Sequence, residues 1–265
     1  MRKKPITVDG VALEYVELPY DEKITVRSLR IAPGGQSKGV VVFLHGWPSD
    51  IYDYYKKDGY GLALANAGWT VYSPFMYHSK DPNLYYKDLK HQHNFVQLSR
   101  KAQIIGQDIL GFELQKVDFL VNYVNYFEKP KTLAVAGVSM GGHYSVILGA
   151  INTSIDVTVV SSWFDDYLKK YLDQTHTYQM QYHWHEPVFA FNLFNVLSER
   201  LLLALHHPRA CILERDPRDL GPDGDEEAEA DVEHAFKGHD FIHTIKHSAG
   251  HNFNFLQELE KYQVK

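Results

Sequence analysis

The chain has 265 residues, 45% of them hydrophobic, with 27 Lys and Arg against 33 Asp and Glu, a formal charge of −6 and one cysteine. That is enough chain to bury a sizeable core as one domain, and its composition excludes a fibrous or mainly disordered protein. Cys211 alone excludes an intrachain disulfide framework and a multi-cysteine zinc site, and the mild acidity argues against an extended nucleic-acid partner.

The amino terminus is basic at Arg2-Lys3-Lys4, but Pro5, Thr7, Asp9 and Gly10 interrupt any apolar stretch that could serve as a signal peptide. Runs such as 39–44 and 201–205 are too short to span a bilayer, so a soluble, cytoplasmic protein with no membrane span is expected.

Residues 12–17 and 24–31 bracket the turn Pro19-Tyr20-Asp21-Glu22 and read as an antiparallel pair. After Gly34-Gly35-Gln36-Ser37, the run Val40-Val41-Val42-Phe43-Leu44 has no polar alternation, which suits a strand covered on both faces. A helix is predicted over 60–67, a strand over 69–72 and one long helix over about 102–127, with Ile105, Ile109, Phe112, Val117, Leu120 and Val124 forming its apolar stripe. A buried strand over 133–138 leads to a helix over 141–151 and a strand over 155–160. Later units read as strand 210–213, helix 226–236, strand 241–246 and a closing helix 253–262.

This alternation predicts an α/β fold with a mainly parallel sheet and helices on both faces. The aromatic-rich segment 163–208, with Trp163, Tyr171, Tyr182 and Trp184, breaks the rhythm. It reads as a helical cap over a substrate cleft inside a single domain of 1–265, although its rings could equally pack a helical excursion onto the domain.

Gly137-Val138-Ser139-Met140-Gly141-Gly142 lies between a buried strand and a helix. That context is what a nucleophile elbow requires: small residues let strand and helix approach while Ser139 projects from a strained turn. In isolation the Gly-x-Ser-x-Gly pattern could equally be a structural turn. An unactivated serine needs a base and a group to orient it. His251, in the loop after the last predicted strand, is the candidate base, with His247 as the alternative.

Glu214, Asp216 and Asp219 all follow strand 210–213 and could accept the histidine's other ring hydrogen bond. A loop that must clear the strand end before turning inward favours Asp219 over Asp216. Unused acids would cap or solvate the loop. His45-Gly46-Trp47-Pro48 follows another strand, where the Trp47 and Met140 N–H groups could form an oxyanion pair, or where an ordinary turn could lie.

The order Ser139, acid, His251, the His45-Gly46 pair and the elbow Gly137–His143 resemble the α/β-hydrolase superfamily, in the esterase and serine-peptidase-like branch related to acetyl xylan esterases and dienelactone hydrolases. Relatives carry a glycine three residues before the aspartate; matching that pattern puts the acid at Asp219 with a nonglycine at 216, and Asp216 stays open as a substitute. The resemblance implies covalent acyl transfer without metal or organic cofactor. The expected substrate is a small-molecule ester, and an aromatic cleft over 163–208 that could stack on a sugar or an aryl alcohol points to an acylated sugar or aryl ester. A small aminopeptidase and a noncatalytic binding module on the same fold are the alternatives. The histidine pairs His91/His93, His183/His185 and His206/His207 raise a metal site, with packing or surface exposure as the simpler explanation.

Overall fold

The computed structural model describes residues 1–46, 50–57, 59–77, 79, 91–163, 193–216, 230, 232–248, 250, 254, 259 and 261. Among the described residues, its frame is one nine-stranded sheet. The strands are β1 (Arg2–Val8), β2 (Val11–Pro19), β3 (Thr25–Ile31), β4 (Val40–Leu44), β5 (Thr70–Pro74), β6 (Leu133–Val138), β7 (Val157–Ser161), β8 (Ala210–Arg215) and β9 (Ile242–Lys246). In space they run β1-β2-β3-β5-β4-β6-β7-β8-β9. The pairs β1/β2, β2/β3 and β3/β5 are antiparallel, and every pair from β5/β4 to β8/β9 is parallel. This is the α/β architecture expected from the alternation of apolar runs and helical stripes.

The pleat of each central strand sorts its side chains between two cores. Val40, Val42 and Leu44 join Leu133, Val135, Val160, Cys211 and Leu213 on one face. Helices α3 (Ile109–Glu128) and α4 (Met140–Ile151) cover that face with Val117, Leu120, Val124, Tyr144 and Leu148. Val41, Phe43, Ala134, Ala136, Val159 and Ile212 lie on the other face, under Leu64 of α1 (Tyr60–Asn66) and Ile51 and Tyr55 of a short 3₁₀ turn. Burial on both faces explains why these strands have no polar alternation.

The chain passes from β4 to β5 on one side and then crosses to β6 on the other. The carboxyl ends of β4 and β6 therefore meet where the winding reverses, the place at which open α/β sheets form their ligand crevice.

Three elements differ from the sequence-based expectation. β1 is an additional edge strand; its Arg2-Lys3-Lys4-Pro5 stretch is largely solvent-exposed, so it has no apolar signature. The single helix over 102–127 is two: α2 (His91–Ile104) ends before Gly106, which takes φ +71°, and α3 restarts at Asp108, whose carboxylate accepts the Leu110 N–H at 2.8 Å. Ile105 falls in the break and is 68% exposed, outside the stripe to which its spacing assigned it. β8 also continues to Arg215, two residues further than its apolar run.

Of the expected cap over 163–208, the described part includes α5 (Leu193–Val196) and α6 (Glu199–Ala204), with residues 164–192 outside the described residues. Most of the expected closing helix also lies outside them. No helix among the described residues is long and apolar enough to cross a membrane.

Candidate active site

Ser139 sits between the last residue of β6 and the first of α4, at φ 54° and ψ −125°. An L-residue holds such a conformation only where its surroundings overdetermine it. Those surroundings are backbone. A Cβ on Gly137 would collide with the Gly141 carbonyl, and one on Gly141 with the Leu44 carbonyl. The Ser139 N–H donates to Ser161 O on β7 at 2.9 Å, and its carbonyl accepts the His143 N–H at 3.1 Å. Strand and helix thus approach as closely as the elbow pattern predicts.

Met140 opens α4 with its side chain buried, placing its N–H among the first-turn amides that lack intrahelical partners. Gly46 closes the opposite side. A Cβ there would lie 3.2 Å from both Ser139 Cβ and Val138 O, so the chain leaving β4 passes directly beside the serine.

That segment is fixed by a buried relay. His45 is fully buried, with Nδ1 2.9 Å from Gly46 O and Nε2 2.6 Å from Ser79 Oγ, while Ser79 Oγ accepts the Met76 N–H at 2.8 Å. Facing a carbonyl, Nδ1 must donate, and Nε2 shares a second hydrogen bond with the serine hydroxyl. The sequence pattern singled out the His45-Gly46 pair but carried no sign of Ser79.

β8 supplies the acids. Glu214 pairs with Ser161 of β7 and Ile245 of β9, and the Ser162 N–H donates to Glu214 O at 2.9 Å. Asp216 follows the strand directly and is 1% exposed; its Oδ2 accepts the Gly250 N–H at 2.9 Å. Glu214, 2% exposed, accepts the Asn254 N–H through Oε1 at 3.0 Å. Both carboxylates therefore reach the segment that contains position 251.

His247 continues the register of β9, its N–H donating to Arg215 O at 3.0 Å. Trp47, Asp219 and His251 lie outside the described residues. The structure thus brings Ser139, Met140 and Gly46 together and ties Asp216 to the residue before His251.

Other histidines have different settings. His143, on α4 four residues after Ser139, is buried beside Trp163 at a ring separation of 5.2 Å, and burial pushes it down to about 3. His206 bonds Leu202 O through Nδ1 at 3.1 Å and is pushed down to about 4, again by burial. His91 and His93 open a helix rather than lie on a strand, and His183 and His185 lie outside the described residues. The described residues contain no group of three or more side chains suited to hold a metal.

No protein-family profile matches the chain, and no curated protein matches it. Solved structures do. A putative acetyl xylan esterase from Bacteroides fragilis superposes with a TM-score of 0.74 at 15% identity, over 94% of this chain and 69% of that one. A cold-adapted esterase from an Arctic intertidal metagenomic library gives 0.61 at 11% identity, over 98% and 97%. An acylaminoacyl peptidase from Pyrococcus horikoshii gives 0.60 at 10% identity; it covers 94% of this chain, which spans only 38% of the peptidase. Together with the strand order and the turn at Ser139, these likenesses identify the fold of this chain as that of the α/β-hydrolases.

Proposed function

We propose that the protein is a serine hydrolase that cleaves a short-chain carboxylic ester through an acyl-enzyme. The observation that carries this reading is Ser139, held at positive φ between β6 and α4 with the backbone of Gly46 against it. His251 takes the Ser139 proton as the hydroxyl attacks the ester carbonyl. The Met140 and Trp47 N–H groups receive the developing oxyanion, and the His45 bond to Gly46 O supports this role by holding the peptide unit that joins residues 46 and 47. Protonated His251 then donates to the leaving alcohol. Water, deprotonated by the same ring, releases the acid and restores Ser139.

Asp216 and Asp219 compete for the role of orienting His251. The buried Asp216 carboxylate on the Gly250 N–H supports Asp216, and Asp219 is the alternative favoured by loop length. The chemistry asks for no metal or organic cofactor. An acylated sugar or aryl ester suits the aromatic residues of 163–208, and a cytoplasmic setting is the expectation that goes with this reading.

The test is a screen of short and long acyl esters and aminoacyl amides, with labelling by a serine-directed phosphonate. Wild type is expected to turn over short esters and to label, and Ser139→Ala to lose roughly 10³-fold or more and not label. Equal turnover by the variant removes Ser139 as nucleophile. Exclusive amide cleavage makes the protein an aminopeptidase, and a folded wild type that neither labels nor turns over any substrate is a binding module. Asp216→Asn and Asp219→Asn in the same screen separate the acids: the orienting one is expected to cost at least about 10²-fold in kcat.

A further inference from the structure

We propose that Glu214 is a positioning residue for the general base: its buried carboxylate holds the segment carrying His251 in register with Ser139. The proposal rests on the serine hydrolase reading above and adds to it a residue that need not touch the substrate.

The geometry begins with β8. Residues two apart on a strand share a face, so Ile212 and Glu214 point the same way, with Asp216 next in that series just past the strand end, and Ile212 packs in the core that also contains Leu259. The apolar series is thus replaced by two acids where the strand reaches the carboxyl edge. Each is buried and each accepts a backbone N–H from the same short stretch: Asp216 from Gly250 at 2.9 Å, Glu214 from Asn254 at 3.0 Å. In sequence, residue 251 falls between the two anchored positions 250 and 254, whose partners Asp216 and Glu214 are two residues apart at the end of β8.

The anchoring strand is coupled to the nucleophile. The Ser139 N–H donates to Ser161 O, and the Ser162 N–H donates to Glu214 O, both at 2.9 Å. A short path of main-chain bonds therefore joins the elbow, the end of β7 and the residue whose side chain holds Asn254. One anchor would let the segment pivot about Gly250, which adopts φ +69°. The second removes that freedom. A glutamate reaches further from the strand than an aspartate, which suits the anchor set one pleat further back from the edge.

The experiment compares Glu214→Ala with Glu214→Gln, whose amide oxygen can still accept the Asn254 N–H. Amide hydrogen exchange in the folded protein reads the contact directly. Glu214→Ala is expected to lose protection at Asn254 by about tenfold or more while β6 and β7 keep theirs, and Glu214→Gln to restore it. Turnover is measured per site titrated by the phosphonate. Glu214→Ala is expected to lower kcat per titrated site by roughly 10- to 100-fold with KM changed less than about threefold, and Glu214→Gln to recover to within about threefold of wild type.

A merely structural glutamate would lower the fraction of titratable sites and leave the rate at each unchanged; that outcome overturns the proposal, as does unaltered exchange at Asn254. If wild type neither labels nor hydrolyses, the hydrolase reading fails and takes the proposed positioning role of Glu214 toward a base with it. The exchange measurement distinguishes this from a failure of the anchor itself.

Discussion

At the scale of single residues, burial sets the charge state of several groups. His143 and His206 are held neutral, near 3 and 4, against an ordinary 6.5. Below 6.5 the unfolded chain binds protons that the folded chain refuses, so the stability these rings contribute is complete above 6.5 and declines as pH falls toward their folded values. Glu113 works in the opposite sense. Burial raises its carboxyl despite Lys116 Nζ at 2.6 Å, so its contribution is complete below its ordinary 4.5 and is lost as pH rises through its folded value. Two histidines outweigh one carboxyl. Urea unfolding is expected to show stability nearly level from pH 7.5 to 6.5 and then falling toward pH 5, on the order of 1 to 3 kcal/mol per pH unit. A flat or rising profile would mean that these rings are protonated in the native state.

At the scale of elements, the break between α2 and α3 depends on one cap. Asp108 accepts the Leu110 N–H at 2.8 Å, and Asp108→Ala is expected to cost about 1 kcal/mol, with Asp108→Asn recovering most of it in denaturant titrations. The break was illegible because Ile105 and Ile109 continue a helical spacing across Gly106; only tertiary packing reveals that Ile105 faces solvent. β1 was illegible for the opposite reason. Its Arg2, Lys3 and Lys4 are exposed on an edge strand, and pairing with Glu17, Val16 and Tyr15 of β2 defines it. By contrast, β4 and β6 are read correctly to the residue, because strands buried on both faces announce themselves by unbroken apolar runs. The elbow was legible because glycines at 137 and 141 answer a steric demand that any strand-turn-helix of this tightness imposes. The anchoring by Glu214 and Asp216 was not. It depends on β8 keeping its pairing as far as Arg215, which its neighbours β7 and β9 decide.

At the scale of the whole molecule, Cys211 reports on the sheet. It lies fully buried on β8 between two parallel neighbours, and burial pushes its thiol well above the ordinary range. A thiol reagent is therefore expected to modify it at least about 10³-fold more slowly in native protein than in urea, at a rate that follows global unfolding. Rapid modification under native conditions would reveal an opening of β8 separate from the rest of the sheet.

The pairing of Leu44 with Gly137 has a wider consequence. Two stretches far apart in the chain reach Ser139 as adjacent stems, and each is secured by main-chain contacts that scarcely depend on which side chains lie beyond it. In the proposed hydrolase, such a layout would separate the invariant task of breaking a bond from the adjustable task of choosing a molecule. Segments that leave the strand ends can be lengthened, exchanged or recomposed during evolution, or by an engineer, while the stems retain their mutual placement.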